Sequence, residues 1–117
     1  MANELSLTLT FYYSKGGQII DRETGLSLVT ISGTETLAAA ASVATSAGAL
    51  DIPASPGYVF IKNLDGTNFV QVGPDGTNWL ISLDPGQWAL FPLDSGSDLY
   101  AKADTSACNV EYIALSA

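Results

Sequence analysis

From Tyr58 onward the chain is cut at nearly regular intervals by short turn-forming clusters, and this punctuation constrains the fold more than any other feature. The clusters are Asp65-Gly66, Pro74-Asp75-Gly76, Asp84-Pro85-Gly86, Asp94-Ser95-Gly96 and Asp104-Thr105-Ser106. Asp bonds its own backbone in turns and Gly supplies positive φ, so each cluster is a turn signal with a mechanism. Between them lie strand candidates at 58–64, 69–72, 79–83, 88–93, 99–103 and 109–115. Short strands about ten residues apart, separated by turns, indicate an all-β sandwich or barrel. With the N-terminal runs included, we expect a two-sheet β-sandwich, jelly-roll-like, of about eight or nine short strands.

The N-terminal segment alternates. Leu5, Leu7, Leu9, Phe11 and Tyr13 fall on one face, with Ser6, Thr8, Thr10 and Tyr12 on the other. A period of two over nine residues describes a half-buried strand. Lys15-Gly16-Gly17 breaks it, residues 18–20 read as a short return, 21–25 as a turn, and 26–31 as another strand closed by Ser32-Gly33. Residues 37–50 carry an alanine run that favours helix on propensity. Ser42, Val43, Thr45 and Ser46 dilute it, Gly48 interrupts it, and no face carries charge, so extended structure is preferred. Asp65-Gly66-Thr67-Asn68-Phe69-Val70 returns ten residues later as Asp75-Gly76-Thr77-Asn78-Trp79-Leu80. Two copies do not make a solenoid, and the pair reads as successive hairpin turns, each leading into a strand that starts with an aromatic.

Composition then removes most chemistry. The 117 residues fit a single domain spanning 1–117, and at 47% apolar they supply one core without staples. The absence of histidine removes Ser-His-Asp triads and His metal sites, and a single cysteine, Cys108, removes internal disulfides and Cys-rich zinc sites. Four basic residues against twelve acidic ones, a formal charge of −8, argue against nucleic acid and anionic lipid as partners. Charged residues are only 14% of the chain. Such a surface is cheap to desolvate and loses little side-chain entropy on docking, as suits a subunit of an assembly. No apolar run is long enough to span a membrane, and the start, Met-Ala-Asn-Glu-Leu-Ser, shows no secretory signal, so folding in a cytoplasm is expected.

The remaining motifs have plain structural readings. Asn63-x-Asp65-Gly66-x-Asn68 looks superficially like a calcium loop but has no closing acid, and reads as an Asx-turn. Five aspartates sit in predicted turns, and Glu111 is expected to face solvent opposite Val110 and Tyr112, so no carboxylate pair for glycoside hydrolysis is expected. Cys108 has no basic neighbour and reads as a packing residue. Trp79 and Trp88, with Phe69, Tyr58 and Tyr100, are read first as core and second as a sugar-stacking platform. No glycine-rich phosphate loop precedes a helix. Accordingly, we expect no catalytic residue, no cofactor and no metal.

The stretch Val59-Phe60-Ile61-Lys62-Asn63-Leu64-Asp65-Gly66-Thr67-Asn68-Phe69-Val70 resembles a segment recurring in small virion proteins of tailed bacteriophages. Residues 83–90 (LDPGQWAL) and 99–105 (LYAKADT) match the same style of protein, and the resemblance covers 57–115, about half of the chain. It implies a β-sandwich structural subunit, either a head decoration (cement) protein or a small tail or neck component. The first of these implies a non-enzymatic homo-oligomer, trimer favoured over dimer, made in the host cytoplasm and bound outside the head to the major capsid protein or other virion proteins. A cement protein binds the assembled lattice and not free subunits, which adds stability to the assembled state. Residues 1–13, with Leu5, Leu7, Leu9, Phe11 and Tyr13, are the expected docking strand, because an exposed edge invites pairing with another chain. From a different class, the alternative is a carbohydrate-binding module using Trp79 or Trp88.

Overall fold

The computed structural model describes residues 5–29, 36–53, 55–94 and 96–116. Contacts gather in two compact units, residues 1–32 and 33–117. All regular structure among the described residues is β, in antiparallel sheets.

In the first unit, β1 (Leu5–Lys15) and β2 (Gln18–Val29) form one long hairpin. Its turn is Gly16-Gly17, with φ of 60° and 82°. Two consecutive positive φ values give the tight connection whose twist matches the flanking strands, and glycine adopts both without strain. The expected turn at 21–25 is not there. β2 runs through it, pairing Asp21 with Tyr12, Arg22 with Phe11 and Glu23 with Thr10. The partner strand supplies hydrogen bonds that local turn propensity cannot match. What remains of the turn signal is a register shift opposite Leu7–Leu9, where Leu7 pairs with Ser27 but Leu9 with Thr24, the extra residue of a β-bulge. The expected closure at Ser32-Gly33 lies outside the described residues.

The second unit holds β3 (Thr36–Val43), β4 (Gly48–Ala49), β5 (Pro56–Asn63), β6 (Val70–Gly73), β7 (Ile81–Leu83), β8 (Trp88–Pro92), β9 (Tyr100–Ala103) and β10 (Cys108–Ser116). They form two four-stranded sheets, ordered β3-β10-β5-β8 and β4-β9-β6-β7. Every connection switches sheet except β6 to β7. The alanine-rich stretch is β3, paired along β10 from Val43–Cys108 to Thr36–Leu115. Pairing with β10 overrides the helix propensity of the alanines.

One core draws on both sheets. β10 alternates inward Cys108, Val110, Tyr112 and Ala114 with outward Asn109, Glu111 and Ile113. β5 contributes Val59 and Ile61, β6 Val70 and Val72, β9 Ala101 and Ala103, all in one cluster. Glu111 is exposed, and Val110 and Tyr112 are buried.

The repeated Asp-Gly-Thr-Asn motif builds the same cap twice. Asp65 Oδ2 accepts from the backbone N–H of Thr67 (2.9 Å) and Asn68 (2.6 Å), and Asp75 Oδ1 from those of Thr77 and Asn78 (both 2.8 Å). Neither Gly66 nor Gly76 has a positive φ, contrary to the expectation, because the aspartate closes the loop without a left-handed residue. The two copies also connect differently. The Asp75 loop closes the β6–β7 hairpin, whereas the Asp65 loop carries the chain from β5 to β6 in the other sheet. Phe69 and Trp79 precede their strands rather than starting them.

Candidate functional site

Asn63, Asp65, Asp75 and Cys108 are each tied into the local structure. Among the described residues no group of three or more His, Cys, Asp or Glu gathers as a metal site. In the Asn63–Asn68 loop, Asn63 Oδ1 accepts from the Asp65 N–H (2.9 Å), the Asx-turn expected from sequence. Its Nδ2 donates to the carbonyls of Asn68 (2.9 Å) and Leu83 (3.0 Å).

The Asn78 side-chain amide, then the Thr77 and Asn78 backbone N–H groups, hold the Asp75 carboxyl well below the usual carboxylate range. The Asn68 and Thr67 backbone N–H groups also lower the pKa of the Asp65 carboxyl. A carboxyl depressed in the fold is deprotonated more readily folded than unfolded. Its contribution is therefore complete above the ordinary carboxylate range and is lost as pH falls through and below it. Thermal melts taken down to strongly acid pH should show a shallower acid loss for Asp75→Asn than for the wild type. Parallel curves would remove the cap's role.

Burial, with Asp65 and Asp104 nearby, pushes the Cys108 thiol up. Its Sγ faces the carbonyl of Ser106 at 3.5 Å. The thiolate is the reactive form, so Cys108 should resist a thiol reagent in the folded protein and react once the chain is unfolded. Rapid labelling of the folded chain would contradict its packing role.

Among the described residues, exposed apolar surface is the feature left over, and three places carry it. The first is the hairpin. Leu5 and Leu7 are half-buried, but Leu9, Phe11 (51% exposed) and Tyr13 are open, so the expected half-buried strand is exposed over most of its length. Opposed residues in an antiparallel pair share a face, so Ile20 joins Tyr13 and Arg22 joins Phe11. That face carries Leu9, Phe11, Tyr13 and Ile20 with two cations, Lys15 and Arg22. The opposite face carries Asp21 and Glu23 beside Tyr12 and Ile19. The hairpin is a ribbon with one apolar cationic side and one anionic side.

The second place is the outer face of the β3-β10-β5-β8 sheet. Ile113, Phe60 and Leu90 form a row across three strands, next to Trp88. Trp88 is 56% exposed and its ring lies 6.1 Å from that of Phe60, tilted by 34°. None of Trp79, Trp88, Phe69, Tyr58 or Tyr100 is in the core. Trp88 is exposed and the others are half-buried: alternation turns Trp88, Tyr58 and Tyr100 away from the inward positions of their strands, and Phe69 and Trp79 lie just before theirs. Among the described residues, Glu111 and Lys62, one of each sign, stand opposite each other on this face.

The third is a groove of about 330 Å³ at the open edge of the two sheets, where β7 and β8 are the outermost strands. Leu80, Ile81, Phe91, Leu93 and Leu99 line it, with Asp98 among them. Leu80 is 81% exposed.

Sequence reasoning placed the hairpin's first strand but missed Ile20 and Arg22, assigned to a short return and a turn. The signal was present: residues 18–29 can mirror β1 across Gly16-Gly17 at nearly equal length. It also missed Leu80 and Leu90, whose outward positions follow from strand parity once the register is fixed. No protein-family model, no curated protein and no solved structure matches this chain.

Proposed function

We propose that this chain is a non-enzymatic structural protein of a bacteriophage virion, of the decoration or cement kind, present in many copies on the outside of an assembled head. Strand order supports a jelly-roll form for residues 33–117. Each position in one sheet continues along the chain into the same position of the other, as β3 with β4, β10 with β9, β5 with β6 and β8 with β7. Such winding is frequent in viral shell proteins but serves other functions too. The observation that carries the proposal is the hairpin. A two-stranded ribbon is marginal by itself, and the exposed Phe11, Tyr13 and Ile20 of this one mark it as a docking element.

Co-sedimentation with particles from the lysate in which the chain is made tests this reading. Wild-type protein should pellet with intact particles and not with unassembled shell subunits. Tyr13→Asp should weaken binding about 30-fold, the loss of one aromatic anchor buried on docking, whether the ribbon meets the shell itself or a neighbouring copy on it. Protein that stays in the supernatant with every particle would overturn the proposal.

A second reading is favoured by Trp88, whose ring lies open beside Phe60 as in a sugar-stacking platform. A glycan titration followed by tryptophan fluorescence separates the two, since a decoration protein gives no saturable change.

A further inference from the structure

We propose that the apolar groove between edge strands β7 and β8 receives the Leu9–Phe11–Tyr13 face of the hairpin from a second copy of this chain, linking copies head to tail. The inference rests on the multi-copy structural reading above and names the partner of its docking element.

Charge selects the occupant. Residues 33–117 carry nine carboxylates against two lysines, and Asp98 sits in the groove itself. Two such bodies repel each other. The hairpin holds the other two cations, Lys15 and Arg22, and both lie on its apolar face. Pairing that face with its own copy would bring four cations together. Pairing it with the groove brings cations to carboxylate and apolar side chains to apolar side chains. The groove has room for side chains of the size of Phe11 and Tyr13.

Backbone geometry points the same way. β7 and β8 are last in their sheets, so each presents one unpaired edge to an incoming strand. The hairpin offers Phe11, Tyr13 and Ile20 at its surface, and Leu80 stands exposed at the groove. Because the two surfaces differ, the contact is heterologous and propagates into a ring or an open chain of copies.

Sedimentation of purified full-length chain tests this. Wild type should assemble with rising concentration. Phe11→Asp, which spoils the ribbon, and Leu80→Asp, which spoils the groove at an exposed position, should each sediment as a 12.2 kDa monomer. Mixed, they should form a species of twice that mass and nothing larger, since one intact ribbon then meets one intact groove. If Phe11→Asp loses strand content by circular dichroism, Arg22→Glu replaces it in the mixture. Wild type that stays monomeric overturns the contact, as does Leu80→Asp assembling like wild type, which would indicate hairpin-to-hairpin pairing. Because no particle is present, a monomeric wild type that still binds particles sinks only this contact. Assembly by a chain that binds no particle sinks only the decoration reading.

Discussion

Gly73→Ala is expected to destabilise the second unit by about 3 kcal/mol, the upper range for inserting one carbon where there is no room. That corresponds to a melting temperature about 15 °C lower for a unit of this size. The conformation of Gly73 is open to any residue, so the cost is one of space. A Cβ built there overlaps the backbone carbonyl oxygen of Asn78 and lies 3.1 Å from the Cα of Trp79. Both obstacles are main chain, held by the Asp75 cap on one side and by the Leu80 N–H donating to the Val72 carbonyl (3.0 Å) on the other. Relief requires opening the β6–β7 hairpin. Gly76→Ala is the matched control. Its new carbon would meet only the Ala47 side chain at 3.7 Å, an ordinary contact, and stability should be nearly unchanged. Equal melting temperatures for wild type and Gly73→Ala would show that the loop does not lie on its own base.

Asn63→Ala is expected to cost a similar amount, about 3 kcal/mol, for a different reason. Asn63 ends β5 fully buried on the inward face, in line with Val59 and Ile61. Its side chain satisfies two carbonyls and one N–H, and its backbone pairs with Gly86 and Gln87 of the β7–β8 turn. It thus joins β5, the Asp65 loop, the end of β7 and the next turn in one network. Alanine strands the Asn68 and Leu83 carbonyls and the Asp65 N–H, each costing about 1–3 kcal/mol less what water recovers at the loop side. In a denaturant titration the midpoint should fall with the slope unchanged, the mark of lost stability without a changed unfolded state. Asn63→Asp should recover part of the loss on acidification, because only a protonated carboxyl can donate to those carbonyls. A variant as stable as wild type would remove Asn63 from this role.

These two positions also show what was legible in the sequence. The turn clusters located β5 to β10 to within about two residues, because Asp caps and glycine turns are local chemistry. The Asp65 and Asp75 caps were readable for the same reason. Which turns join partners in one sheet was not readable, since two copies of one loop motif serve a hairpin at β6–β7 and a change of sheet at β5–β6. Asn63 read both as part of the 58–64 strand and as the start of an Asx-turn, and its parity with Val59 and Ile61 puts its side chain in the core. The hairpin's second strand was hidden by Asp21-Arg22-Glu23, whose polarity mimics a turn until pairing with β1 is considered. Exposure was the least accessible property. Alternating Leu5 to Tyr13 specifies one apolar face but not whether this chain or another covers it.

The central claim is that the molecule acts through its surfaces. Three-dimensional reconstruction of purified particles by electron microscopy tests that most directly. The account predicts the eight-stranded body in many symmetric copies on the outer shell, with the hairpin buried at a contact. Particles whose shells carry no such density, or a chain found with its Leu9–Phe11–Tyr13 face open to solvent, would contradict it.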